Sequence, residues 1–168
     1  MALPRKLKNM NLFNEGHSWL GEVASVTLPP LHRKLEAYRG GGMDAEVKYD
    51  MGGEALELEA TYGGPMRAIL RQFGHISAGG IYQRFTGFYQ DDSTGAGSTI
   101  EATIRGRHSE IDAGEQKPGE AGTFKVKSAL IYYRLDWDGR TEIEIDVRNF
   151  IFMVGGVDLL AAQRAAIL

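Results

Sequence analysis

Leu20-Gly-Glu-Val-Ala-Ser-Val-Thr-Leu-Pro-Pro-Leu-His-Arg-Lys-Leu-Glu-Ala-Tyr-Arg-Gly-Gly-Gly-Met-Asp-Ala-Glu46 is the stretch on which the reading of this chain turns. It opens as a strand, with Val23, Ser25 and Thr27 alternating against Ala24, Val26 and Leu28. Pro29-Pro30 then stops any ladder, because proline offers no N–H. A charged run follows and ends at Gly40-Gly41-Gly42 and Met43, with Tyr38 and Arg39 just before this flexible joint. The stretch reads as a long, irregular, polar connection between two β segments. Connections of this length inside a small β domain tend to be functional or to make contacts.

Downstream, Asp44–Tyr62 reads as a hairpin around Gly52-Gly53. That register pairs Tyr49 with Leu56, Val47 with Leu58 and Ala45 with Ala60 on one face. It pairs Lys48 with Glu57, Glu46 with Glu59 and Asp44 with Thr61 on the other, so apolar meets apolar and polar meets polar. Gly64-Pro65 opens a short helix in which Met66, Ile69, Leu70 and Phe73 share a face and Gly74 is the stop. Ile81–Gln90 and Ser98–Ile111 read as strands joined by the polar connection Asp91–Gly97. Thr123–Asp136 is a long strand that returns through a three-residue loop, Trp137-Asp138-Gly139, into Glu142–Ile151. That loop sets Arg134 opposite Glu142, Tyr133 opposite Ile143 and Ile131 opposite Ile145, with Gly139 in the left-handed position. Upstream, Met10–Phe13 and Ser18–Leu28 form a hairpin around Asn14-Glu15-Gly16. Asp158–Leu168 is a short helix capped by Asp158. At about 11 residues it must dock to hold its shape.

The chain has 168 residues, 43% of them hydrophobic and 24% charged. These figures predict one domain spanning 1–168 with a real core. The expected class is mainly β with two short helices and two packed antiparallel sheets, because many of the 22 glycines fall at turns. A net charge of −3 excludes a nucleic-acid binder of the basic kind. No apolar run approaches the ~18 residues of a membrane span. Arg5, Lys6 and Lys8 are not followed by the apolar region of a secretory signal. With no cysteine, disulfides and thiolate chemistry are absent. Strands of ~12 residues span roughly 40 Å at ~3.3 Å per residue. Such strands would leave exposed edges that invite another chain.

Residues suited to catalysis have plainer readings. His17, His32, His75 and His108 are scattered and form no zinc motif. His108, Glu110 and Asp112 would share one side of a strand, read as a polar strand end rather than a metal site. The acidic pairs Asp91-Asp92 and Asp136 with Asp138, and the run Glu142, Glu144 and Asp146, read as turns and a solvated strand face. No glycine loop leads into the Gly-Lys-Ser/Thr of a P-loop. Arg105, Arg107 and Lys117 lie among Glu110, Asp112, Glu115 and Glu120, which suits salt bridges between subunits better than DNA reading. Phe85 and Tyr89 face one way and Tyr82 and Phe88 the other. Together with Tyr132, Tyr133 and Trp137 they predict a sandwiched or interfacial strand. The expectation is therefore a non-enzymatic chain with no catalytic residue, cofactor or metal.

Three blocks carry a resemblance. One is the opening stretch, with Asn11-Leu12-Phe13, Gly16 and Ser18 before it. The second runs from Arg105-Gly106-Arg107 through Glu110-Ile111-Asp112, Gly114-Glu115 and Lys117 to Gly119-Glu120. The third runs from Tyr132-Tyr133 through Leu135, Asp138-Gly139, Ile143-Glu144-Ile145-Asp146, Asn149 and Gly156-Val157-Asp158 to Leu160 and Arg164. In these blocks the chain resembles the major tail tube proteins of contractile-tailed bacteriophages and the tube subunit of R-type pyocins. The likeness covers about two thirds of the chain and is weak over residues 52–100, and Pro30 stands where the family usually has a basic residue.

The resemblance implies a barrel-like two-sheet fold and hexameric rings whose inner strands join around a channel. The rings stack into the tube of the virion tail, assembled in the host cytoplasm. Implied partners are copies of the chain itself, the tail sheath, baseplate and tail terminator proteins, the tape-measure protein, and phage DNA in transit without sequence-specific binding; no membrane insertion is implied. A net negative charge suits a wall that must not hold DNA. Candidate subunit contacts are Leu28, Pro29, Tyr38, Arg39, Gly41, Gly42, Met43, Asp112, Glu115 and Lys117. Candidate channel residues are Glu46, Lys48, Glu57 and Glu59, on the polar face of the expected hairpin. The loops Arg39–Met43, Asp91–Gly97 and Asp112–Gly122 are expected to order on assembly. The competing readings are an injection tube of the type VI secretion kind, a monomeric β-barrel binding a small ligand through its aromatics, and a small hydrolase using its acidic clusters.

Overall fold

A computed structural model describes residues 1–168. The chain is mainly β, with two antiparallel sheets and two short helices. Strand β1 (Lys6–Asn14) turns through Glu15 and Gly16, both at positive φ, into β2 (His17–Ser18). Then follow β3 (Val23–Thr27), β4 (Arg33–Tyr38), β5 (Val47–Gly53), β6 (Leu56–Tyr62) and helix α1 (Arg67–Leu70). Next come β7 (Ile81–Gln90), β8 (Gly97–Asp112), β9 (Phe124–Trp137), β10 (Arg140–Asp146), β11 (Ile151–Val154), β12 (Val157–Asp158) and α2 (Ala161–Ile167). The large sheet runs β12-β11-β10-β9-β8-β7-β1-β2, with β6 on β9 and β3 on β6; β4 and β5 pair only with each other.

The sheet branches at β9. One edge of β9 is paired to β8 from Phe124's neighbour Lys125 to Trp137. The other edge is shared: β6 takes Phe124–Leu130 and β10 takes Tyr132–Trp137. Bulges in the β8–β9 ladder at Arg105/Gly106 and His108/Glu110 add local twist where the branches part. The sheet curls, and the buried faces of β1, β6, β7, β8 and β9 enclose one cluster that includes Leu12, Leu58, Tyr62, Phe85, Ile104 and Phe124. Trp19 and Tyr62 meet edge to face at 5.8 Å, and Tyr62 meets Phe124 likewise at 6.2 Å. Ile69 of α1 closes the cluster and is wholly buried.

Strands β7, β8 and β9 match the expected segments to within two residues at each end. The Asp44–Tyr62 hairpin does not form. Strand β6 turns away from β5 and pairs with β9, setting Tyr62 beside Phe124, Ala60 beside Val126, Leu58 beside Ser128 and Leu56 beside Leu130. All eight side chains are buried there, more than β5 offers, since Val47, Tyr49 and Met51 stay about half exposed. Strand β5 pairs instead with β4, inside the stretch expected to be irregular. Pro29-Pro30 does end β3, at Thr27.

The turn after β9 has two residues rather than three. Asp138 and Gly139 both take positive φ, and Trp137 pairs with Arg140. The extra residue sits in β10, between Thr141 and Ile143, and the slip brings Ile143 to Leu135 and Ile145 to Tyr133. The expected pairings of Arg134 with Glu142, Tyr133 with Ile143 and Ile131 with Ile145 are thereby replaced by Arg134 with Glu144, Leu135 with Ile143 and Tyr133 with Ile145, because the tight turn takes Trp137 into the ladder and the bulge restores an apolar register. The strand also ends early, at Asp146, and β11 returns as a separate hairpin. Helix α1 is a single turn in which Ile69 is buried and Leu70 half exposed; Phe73, beyond its end, is half exposed as well. Gly74 has the left-handed φ of a stop. Asp158 belongs to β12, accepts the Leu160 N–H at 3.1 Å and pairs with Arg164. Of the long strands, β9 is paired on both sides, whereas β8 is flanked by β7 only as far as Gly106, so its last residues form an open edge.

Candidate assembly surfaces

Strands β4 and β5 form a projecting arm. Every residue from Leu31 to Arg39 and from Asp44 to Met51 is exposed. At its root Arg33 donates from Nε to Asp50 Oδ2 at 2.8 Å, and its guanidinium lies 5.0 Å from the centre of the Phe152 ring. That hydrogen bond, with one from the Gly52 N–H, holds the Asp50 carboxyl below the ordinary range. One face of the arm carries Tyr38, Glu36, Val47 and Tyr49, with the two tyrosine rings 5.7 Å apart. The tip is a turn closed by Met43 N–H to Gly40 O at 3.2 Å and by Arg39 Nε to Met43 O at 3.0 Å. Gly42 takes a φ of +83° there, which a side chain would strain.

Of the expected contact residues, Tyr38, Arg39, Gly41, Gly42 and Met43 therefore gather at the tip of the arm. Leu28 and Pro29 do not join them: Leu28 packs on the core and Pro29 is buried within its own subunit. Asp112, Glu115 and Lys117 lie at the end of β8 and in the exposed loop beyond it. There Lys117 pairs with Glu120 at 3.1 Å and Asp112 accepts the Gly114 N–H at 2.8 Å.

A second surface is a layer of four strands in the order β3, β6, the first half of β9 and the last residues of β8. Its inner face is core. Its outer face sets Glu57 beside Ala129 and Arg107, Glu59 beside Lys127 and Glu110, and Thr61 beside Lys125 and Asp112. Lys127 approaches Glu110 to 3.8 Å. Acids and bases alternate across the face, with one more carboxylate than cation. Both edges of this layer are open. β3 pairs with β6 alone, and β7 stops at Gly106, so Arg107–Asp112 has no neighbour on the side away from β9. Glu57 and Glu59 lie on this layer, whereas Glu46 and Lys48 belong to the arm, so the four do not share a face.

His108 also departs from expectation. The bulge at Ser109 turns Glu110 and Asp112 outward and leaves His108 inside, 6% exposed. Burial lowers its pKa from 6.5 to about 4. No three His, Asp or Glu side chains converge to hold a metal ion. The clearest apolar recess, of about 430 Å³, lies at the arm's root between Leu31, Leu56, Ile143, Ile145, Phe150 and Phe152. None of Tyr82, Phe85, Phe88, Tyr89, Tyr132, Tyr133 or Trp137 lines it.

Comparison with known proteins gives one consistent answer. Residues 4–167 match the family model described as phage tail tube protein FII. The tail tube protein of Escherichia phage P2 is 44% identical over 167 residues, covering 98% of this chain and 97% of that one. The major tail tube protein of Serratia phage KSP20 is 38% identical over 163 residues, covering 95% and 92%. Among solved structures, a chain of the PVC sheath-tube complex, an extracellular contractile injection system in its extended state, has a similar fold. Its TM-score is 0.57 at 8% identity, over 79% of this chain and 91% of that one. A chain of the PVC sheath/tube terminator structure matches as well, at TM-score 0.57 and 9% identity over 80% and 97%. The chain belongs to the phage tail tube protein FII family: it is a structural, non-enzymatic subunit of the tail tube of a contractile-tailed phage virion.

Proposed function

We propose that six copies of this chain, as a single tube domain over residues 1–168, close into a ring by joining the β3 edge of one subunit to the Arg107–Asp112 edge of the next. The observation that carries this is the four-stranded layer open at both edges. Its strands alternate in direction, so an even number per subunit makes the new β8–β3 contact antiparallel around any ring. A head-to-tail contact of this kind closes by rotation, and closure removes every edge of the layer. The charged outer face then becomes the channel wall. Glu57, Glu59, Glu110 and Asp112 alternate there with Lys125, Lys127 and Arg107, which denies a passing nucleic acid a continuous positive track. Stacked rings give a passage for the tape-measure protein and DNA and an outer track for the sheath, ended by baseplate and terminator proteins.

The chain lacks cysteine, so engineered cross-links are unambiguous. Ser25→Cys combined in turn with Arg107→Cys, Glu110→Cys or Asp112→Cys should yield covalent multimers on oxidation of assembled tubes, ending at the closed ring. Failure of all three pairs to cross-link in tubes that do form would overturn the edge assignment.

The arm tip is assigned to contacts with a neighbouring subunit. Its apolar face has no cover within its own chain, and ordering a tip costs ~1–2 kcal/mol per residue that only assembly can offset. Tyr38→Ala and Arg39→Ala should leave the unfolding midpoint of the dispersed subunit unchanged while lowering the yield of tubes at a given concentration several-fold. Sedimentation of assembled material against total protein measures this, and normal yields from both variants would exclude the tip.

A further inference from the structure

The inside of the curled sheet is polar at the end that α1 covers. Gln83 Nε2 donates to Ser128 Oγ at 3.2 Å, and Ser128 Oγ lies 2.9 Å from His108 Nδ1. His108 Nε2 lies 3.0 Å from Gln72 Oε1, and Gln72 exchanges two amide hydrogen bonds with Asn14, at 2.9 and 3.0 Å. Gln72 Oε1 can only accept, so the neutral ring carries its proton on Nε2 and Nδ1 accepts from the Ser128 hydroxyl. From Gln83 through Ser128 and His108 to Gln72 the bonds then run in one direction, and no side-chain atom of the run is buried without a hydrogen-bond partner. Gln72 stands just beyond α1, in a segment otherwise held by Met66, Ala68 and Ile69 on the core and by a hydrogen bond of 3.3 Å from Arg107 Nη1 to the Ile76 carbonyl; the Leu70, Phe73 and Ile76 side chains face outward.

We propose that this run of side chains is an acid-sensitive latch: neutral His108 pins the α1 segment to the end of the curled sheet, and protonation of His108 releases it. A proton on Nδ1 turns that atom from acceptor to donor. Ser128 Oγ would then receive both His108 and Gln83, and its own hydrogen would lose its acceptor at a site 1% exposed. The imidazolium would also lack a counter-charge. The groups facing it are Asn14 from β1, Gln72 from the α1 segment, Gln83 from β7 and Ser128 from β9, all neutral. Glu15 is turned to the Tyr82 N–H, Arg71 is exposed, and Arg107, Glu110 and Lys127 lie on the opposite face. Burial alone lowers the proton affinity of the ring, as the fall to about 4 records. Because the folded value lies below the unfolded one, the unfolded and opened states bind the proton better. The latch is fully closed above about pH 6.5 and weakens as pH falls through that range toward 4. Water reaches the ring most directly by displacing Gln72, the half-buried member of the run.

Hydrogen exchange on the dispersed subunit, corrected for intrinsic rates at pH 7 and pH 4, tests this. Residues 66–76 should lose at least ten-fold more protection at pH 4 than the β7–β8 ladder does. His108→Gln, which keeps a donor and an acceptor but no titration, should abolish that difference. An equal loss in His108→Gln, or no selective loss in the parent chain, would overturn the latch. Should His108→Gln fail to fold, Ser128→Ala serves instead. It removes the donor to the neutral ring, so the His108 titration midpoint read by NMR should rise above that of the parent, and an unchanged midpoint would overturn the proposal.

Discussion

Gly106→Ala should be among the most damaging single-methyl changes in the chain, costing about 3 kcal/mol or more. A Cβ on Gly106 would lie 2.2 Å from the backbone oxygen of Ala129 and 2.9 Å from Leu130 Cδ2. A side-chain tip can rotate away, but a carbonyl within the β8–β9 ladder cannot move without breaking the pairing that organises the sheet. The position lies at the bulge where β8 leaves β7 and enters the four-stranded layer. Its backbone must approach β9 closely for that layer to form. Urea unfolding and soluble yield read the effect. A midpoint within the error of the parent would mean that β8 and β9 do not approach as described. By contrast, Gly87 and Gly97 are crowded only by side chains, so alanine there should cost less.

The second large effect is at Ile69. Its side chain is wholly buried at the end of the core, and Ile69→Ala should cost about 3 kcal/mol through lost burial and the cavity left behind. Leu70→Ala and Phe73→Ala should change the stability of the dispersed subunit by less than about 1 kcal/mol, because both side chains are half exposed. Denaturant titration of the three variants side by side gives the ordering. Equal losses at all three would mean that the segment packs as a longer amphipathic helix, the arrangement its i, i+3, i+4 and i+7 spacing suggests.

That contrast shows where sequence patterns succeed and where they stop. Strands β7, β8 and β9 were legible because alternation over ten or more residues leaves one face to bury, and the face does bury. Partner choice was not. Strand β6 fits β5 in polarity as well as it fits β9, and the decision rests on Phe124, Val126 and Leu130, far along the chain. The same ambiguity displaced Glu46 and Lys48 onto the arm. Alternation also fails silently at a bulge. One extra residue at Ser109 separates His108 from Glu110, and another in β10 shifts its register by one from Ile143 onward, while neither leaves a glycine or proline as a mark. The tip residues Tyr38–Met43 were recognisable from Gly40-Gly41-Gly42 and the resemblance, but the strands that carry them outward were hidden by their charge. Their apolar positions, Leu35, Val47 and Tyr49, have no core to face.

Electron microscopy of the concentrated protein, carried to a reconstruction in which side chains are visible, decides whether β3 and the end of β8 join subunits into a ring. Hollow rods of stacked rings, with a continuous antiparallel barrel as their wall, are the expected result. Glu57, Glu59, Lys125 and Lys127 should point to the axis, and each β3 should lie against the Arg107–Asp112 segment of the next subunit. Rods whose channel is lined by the β4–β5 arm, or a preparation that stays monomeric under every condition and in the presence of tail nucleation sites, would contradict it.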